Sequence, residues 1–176
     1  MKKQLFPQVL LIAVATMFLV SCNTGTKTSD DKEAPATEEV TPDFQISLAQ
    51  WSLHRTYFGG AIQDWQEFGR LLMEEPDALL QGDIDPMDFP KVAAGYGINC
   101  IELVNTFYFS KANDMDYWTA FKKNCEEAGV TVGLIMCDAL GNLGDADPEV
   151  RMATIENHKP WVDVAAFLGA TTIRVN

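Results

Sequence analysis

One phrase recurs three times in this chain: an amphipathic stretch, a closing glycine, then an apolar run within a few residues. Gly97-Ile98, Gly129-Val130 and Gly169-Ala170 all carry it. A glycine at that place ends a helix, because it takes the left-handed conformation that other residues resist. The runs that follow (99–105, 130–137 and 171–175) are apolar and rich in branched side chains, and a fourth of the same kind, 46–52, precedes them. Short apolar runs separated by helical stretches read as strands of a parallel sheet, with right-handed crossovers. The chain is therefore expected to be α/β.

The helix starts agree with this. Asp85-Pro86 supplies an N-cap and a first-turn proline, Asn113 is placed to cap a helix holding Met115, Trp118, Phe121 and Cys125, and Asp147-Pro148-Glu149 opens another. Residues 62–80 predict an additional amphipathic helix with Ile62, Trp65, Phe68 and Leu72 on one face, limited by Pro76. Pro160 lies inside the last helix, where its ring clashes with the preceding turn and its nitrogen donates nothing. A kink or break near His158-Lys159 is expected, with 161–168 as a second segment.

Ahead of this the composition is different. Lys2 and Lys3, the apolar run 9–20 and Leu19-Val20-Ser21-Cys22 fall in the order of a bacterial lipoprotein signal. The run is shorter than the ~20 apolar residues of a spanning helix. Residues 1–21 are read as the signal peptide and Cys22 as the lipidated residue, which implies a cell-envelope location and contact with a membrane through the lipid. An ordinary secretory signal with a chance cysteine is the competing reading. Residues 22–43 hold Val40 as their only large apolar side chain and are expected to be a disordered tether. Removal of residues 1–21 takes away two lysines and no acid, leaving 11 basic against 25 acidic residues, a net charge of −14. Such a chain is repelled by phosphate backbones, so no nucleic-acid partner is expected. Cys100, Cys125 and Cys137 match no zinc or haem spacing and read as buried free thiols.

Four strands of this kind fit either a small doubly wound domain or the front half of an eight-fold barrel, which takes about 250 residues. Because the chain stops directly after a strand, the expectation is the N-terminal half of a (βα)8 barrel, strands 1–4, over residues 44–176. In both architectures ligands bind beyond the carboxyl ends of the strands. That rule selects His54 after the first strand, Glu102 and Asn105 on the second, Asp138 at the end of the third, and Arg174 and Asn176 at the end of the fourth. His54 is either a polar group at the pocket mouth or a loop histidine. His158, mid-helix, reads as structural or exposed. Glu102 sits in an apolar run, where a carboxylate needs a partner. A sugar hydroxyl, a metal, or an ion pair with Arg174 would serve. Asp138 either faces the pocket or caps the next loop, and Arg174 offers a planar guanidinium to oxygen ligands. Gly141-Asn142-Leu143-Gly144 lacks a nucleotide fingerprint and reads as a turn. Trp51, Tyr57, Phe58, Phe107, Tyr108 and Phe109 suit a sugar platform or, more ordinarily, a core.

The stretches 47–55, Asp88-Phe89-Pro90, 101–105, 134–138 and 156–176 together resemble the xylose isomerase-like barrel proteins described as sugar phosphate isomerases/epimerases. The resemblance implies an α/β barrel and a sugar or sugar-phosphate substrate. It also implies a divalent metal (Mn, Mg or Co) that assists proton abstraction next to a carbonyl. The metal ligands of that family come from later strands, so none is transferred to this chain, no catalytic residue is assigned, and the chain alone is expected to be inactive. Glu102, Asn105, Asp138 and Arg174 correspond to pocket-side positions. Two other readings compete: a non-catalytic carbohydrate-binding lipoprotein, and a metal-dependent repair endonuclease of the same barrel type, which the acidic charge opposes. Sugar, metal, stereochemistry and oligomeric state are left open.

Overall fold

The structure is a computed structural model that describes residues 44–176. The signal, Cys22 and the tether lie outside the described residues. Four parallel strands form one sheet: β1 (Leu48–Ala49), β2 (Cys100–Val104), β3 (Thr131–Met136) and β4 (Thr172–Arg174), in the spatial order β1-β2-β3-β4. Spatial order follows chain order without reversal. A doubly wound sheet turns back on itself at a switch point, and these four strands contain none. Among the described residues no helix is long and apolar enough to cross a membrane.

The first strand is shorter than its apolar run suggests. After Ala49 the backbone enters a 3-10 helix, Gln50–Leu53, and then the short helix α1 (His54–Phe58). The reason is visible at Gln50, which is fully buried. Its side-chain Oε1 accepts from the Val104 N–H at 3.3 Å, so an amide side chain continues the β1–β2 ladder where the backbone has left it. The same amide donates to the Tyr108 hydroxyl at 2.8 Å, and that hydroxyl donates to the Pro86 carbonyl at 3.2 Å.

The region 62–80 is broken into pieces. Asp64 accepts from the N–H groups of Gln66 and Glu67 and opens α2 (Trp65–Glu74), which ends before Pro76 starts a 3-10 turn, Pro76–Leu79. Phe68 and Leu72 are buried as expected, but Trp65 is 59% exposed and does not belong to the buried face. Asp85 caps a 3-10 turn, Pro86–Asp88, that leads into α3 (Phe89–Gly95). The cap of α4 (Met115–Ala128) is Asp114, accepting from Tyr117 N–H, rather than Asn113. α4 and α5 (Pro148–Leu168) both end on left-handed glycines, Gly129 at φ 66° and Gly169 at φ 79°.

The expected break at Pro160 does not occur, and α5 runs 21 residues through it. Proline in a helix interior costs about 3 kcal/mol. Trp161, Val164 and His158 are buried on both sides of it, and full burial of one large apolar side chain is worth roughly 1.5–3 kcal/mol. Glu156, whose carbonyl loses its amide partner, is exposed. Packing therefore keeps the helix continuous through the residue that would otherwise interrupt it.

Register separates the two sheet faces. Leu103 pairs with Ile135 and Ile135 with Ile173, a row joined to the aromatic and aliphatic core. Alternation puts the rows Ala49–Glu102–Leu134–Thr172 and Val104–Met136–Arg174 on the other face. The register of β2 against β3 shifts between Ile101 and Glu102, with Gly133 as the residue passed over. A Cβ there would sit 2.9 Å from the Cys100 sulfur, which explains a glycine inside an apolar strand.

Candidate functional site at the carboxyl ends of the strands

The six residues singled out by sequence fall into three local arrangements. His54 opens α1 directly after the 3-10 turn. Its Nδ1 lies 2.8 Å from the Trp51 carbonyl, which can only accept, so Nδ1 carries a proton and donates. The imidazole stacks on Trp51, with centroids 5.1 Å apart and planes within 9°. Trp51 is therefore partly covered by a side chain of its own chain. Tyr57, Phe58, Phe107 and Tyr108 are buried and join the core. The cluster of aromatics after β1 and β2 is mainly packing, with Trp51 and Phe109 at its partly exposed edge.

Glu102 occupies the middle of β2 on the face away from the main core. Its Oε1 accepts from the Ser47 hydroxyl at 2.5 Å. Of the partners open to Glu102 in the sequence, the ion pair with Arg174 is absent; among the described residues the partner is Ser47, just before β1. The register explains this: Glu102 lies in the row of Thr172, and Arg174 lies one row further on.

Asn105, Asp138, Asn176 and Arg174 form the third arrangement, and it ties together the ends of β2, β3 and β4. Asn105 is fully buried. Its Nδ2 donates to the Asp138 carbonyl at 2.9 Å, and its Oδ1 accepts from the Asp138 N–H at 2.8 Å. Each end of the amide bonds one backbone group of Asp138, so Asn105 fixes the backbone at the end of β3. The Asp138 carboxylate accepts from Asn176 Nδ2 at 2.9 Å, and the Arg174 guanidinium lies 3.6 Å away. Arg174 also donates to Asn176 Oδ1 at 3.2 Å and to the Met136 sulfur. Asp138 thus faces the site and does not cap the following loop. Arg174 is exposed, on the opposite face from Ile173 as alternation requires.

Residues outside the expected set also shape the site. Ala139, next to Asp138, has φ 59°, the one non-glycine left-handed residue among those described. Left-handed backbone at a residue with a Cβ is strained, and the two Asn105 bonds lie immediately beside it. Gln50 was hidden in a strand-like run; a polar residue amid Leu48, Ala49 and Trp51 was the signal available. Cys137, before Asp138, is buried, and burial with the Asp138 charge beside it pushes its thiol up to about 12. It is no nucleophile at neutral pH. His158 is buried at mid-helix with Nδ1 2.7 Å from the Thr154 carbonyl and Nε2 without a partner.

Among the described residues no group of three His, Cys, Asp or Glu side chains could hold a metal ion. The described residues do not by themselves supply a metal centre. What the strand ends offer is the Asp138 carboxylate, the Arg174 guanidinium and the Asn176 amide, with the Glu102 carboxylate further back in the middle of β2. No family model matches the chain, and no curated protein matches it.

Proposed function

We propose that residues 44–176 form the first four strands of a xylose isomerase-like (βα)8 barrel. In this reading the chain takes part in a sugar isomerase or epimerase reaction that removes a proton next to a carbonyl. The observation that carries the reading is the sheet itself. Four parallel strands stand in chain order, with Asp138, Arg174 and Asn176 meeting at the carboxyl ends of β3 and β4 and Glu102 in the middle of β2. In a barrel the carboxyl end is the mouth of the site.

Within this reading each residue has a task. Asp138 and Glu102 accept hydrogen bonds from hydroxyls of the sugar, Arg174 donates to a carbonyl or hydroxyl oxygen, and Asn176 holds the Asp138 and Arg174 side chains together. His54, stacked on Trp51, lines the rim. The group that abstracts the proton is not assigned to this chain, and no isomerisation by the chain alone is expected. Lipidation of Cys22 would place the activity at the cell envelope, acting on sugars outside the cytoplasm.

The test is a titration of the full chain with a neutral ketose, followed by the Trp51 indole and Met136 methyl resonances. Both should shift, and Arg174→Ala should abolish the effect while leaving the fold's spectrum intact. Assay with Mn2+ and ketoses should show no turnover. Binding in a longer polypeptide that still fails to exchange the proton next to the carbonyl would favour a non-catalytic carbohydrate-binding lipoprotein instead.

A further inference from the structure

We infer that the amino end of the sheet rests on a lipid surface, which turns the strand-end site away from the membrane. The inference rests on the lipidation of Cys22 in the reading above and adds how the domain sits on its membrane.

Three large apolar side chains stand out of the fold together. Phe44 is 71% exposed, Ile46 64% and Tyr96 64%. They line one groove, and the other side chains of its lining, Gln45, Ile98 and Asn99, carry no charge. In a chain of which 22% of the residues are charged, an exposed apolar groove free of charge marks an interaction surface. Its place follows from the strands: residues 44–46 lead into β1, and 96–99 lead from α3 into β2. The Asn99 carbonyl accepts from the Thr131 N–H at the start of β3, and Met136 ends that strand. At about 3.3 Å per residue, roughly 17 Å of sheet separates the groove from the strand-end site.

What adjoins the groove decides its occupant. The described fold begins at Phe44, in the groove itself, and Cys22 lies 22 residues upstream. Such a length spans at most about 75 Å, so an acyl chain on Cys22 keeps the groove near the bilayer at a high effective concentration. Phenylalanine, isoleucine and tyrosine suit the boundary between headgroups and acyl chains, tyrosine because its ring is apolar while its hydroxyl stays wet. A second copy of the chain fits less well. Three side chains fall far short of the roughly 20–30 residues that each partner brings to a standard protein interface. Two mature chains at −14 each also repel one another, whereas an uncharged lipid surface does not repel the chain.

The full chain is produced with its signal in a bacterium, and acylation of Cys22 is read by mass. The protein is then placed in phosphatidylcholine nanodiscs with and without a nitroxide-headgroup lipid. Interfacial side chains lie about 5–10 Å into the headgroup boundary, so the Ile46 methyl and Tyr96 ring resonances should lose roughly threefold more intensity to the nitroxide than the Met136 methyl. Phe44→Ser with Tyr96→Ser removes two exposed side chains and leaves the core untouched. It should erase most of the Ile46 difference while the acyl chain still holds the protein in the disc. Equal broadening of Ile46 and Met136, or a difference that the double variant leaves unchanged, overturns the inference and leaves lipidation standing. Ile46 shifts that follow protein concentration in disc-free Cys22→Ser chain assign the groove to a second copy and overturn it too. If Cys22 carries no acyl chain, the lipid reading falls and this inference falls with it.

Discussion

The side-chain amide of Asn105 bonds both backbone groups of Asp138, at 2.9 and 2.8 Å, across 33 residues of sequence. This closes the carboxyl ends of β2 and β3 on each other just where the backbone turns left-handed at Ala139. Replacement of Asn105 by Ala leaves a donor and an acceptor of Asp138 without partners in a buried place, and each such group costs about 1–3 kcal/mol. Asn105→Ala should therefore destabilise the domain by about 2–4 kcal/mol in urea unfolding. Asn105→Asp should do at least as much harm, since a carboxylate can accept from the Asp138 N–H but faces the Asp138 carbonyl with nothing to donate. A loss below about 0.5 kcal/mol in both variants would show that the clasp contributes little.

Gln50 and Tyr108 make a second buried relay. Gln50→Leu strips the Val104 N–H of its acceptor, and Tyr108→Phe leaves the Gln50 Nε2 and the Pro86 carbonyl without their Tyr108 partner. Each should lose about 1–3 kcal/mol. Because the two share a bond, the double variant should lose less than the sum, which a double-mutant cycle by urea unfolding measures. Strict additivity would show that the relay does not act as a unit.

Pro160→Ala restores the amide that α5 lacks. The helix already runs unbroken through this position, so alanine should raise stability by about 1–3 kcal/mol and lift the melting temperature. A lower melting temperature would mean that the pyrrolidine ring contributes packing beyond what its lost hydrogen bond takes away.

How far the sequence could be read follows from where the deciding forces lie. The glycines that end α4 and α5 and the apolar runs of β2, β3 and β4 are local signals, and local geometry obeys them. Three other features were decided at long range. β1 stops at Ala49 because Gln50 finds a better use at Val104 and Tyr108, more than 50 residues away. α5 ignores Pro160 because Trp161 and Val164 are buried beside it. Glu102 meets Ser47 rather than Arg174 because strand register, which composition does not encode, sets them one row apart. At the site, the rule of strand ends found Asp138, Arg174 and Asn176 together, and it also named Asn105, whose burial no sequence pattern revealed.

The buried thiols give a pH dependence whose sign is fixed. Burial, with Glu126 beside one and Asp138 beside the other, pushes Cys125 and Cys137 up to about 12, while an unfolded thiol ionises near 8.5. Below about 8.5 both states hold the proton and the thiols' contribution is fully present. Above it the unfolded chain releases protons that the folded chain keeps, so stability falls as pH rises toward 12. Tyr57, Tyr108 and Tyr117 are also raised by burial and act in the same direction, but from about pH 10, where an unfolded phenol begins to ionise. In a Cys22→Ser background under reducing conditions, the urea midpoint should therefore decline between pH 8.5 and 10. Cys125→Ala with Cys137→Ala should flatten that stretch and leave the later decline. Alkylation offers an independent check: Cys100, Cys125 and Cys137 are all buried and should react slowly at pH 8 in the folded chain and completely in urea. Rapid native labelling of Cys137 would show that the end of β3 opens to solvent, and that the Asp138 carboxylate beside it is held less firmly than the Asn105 clasp implies.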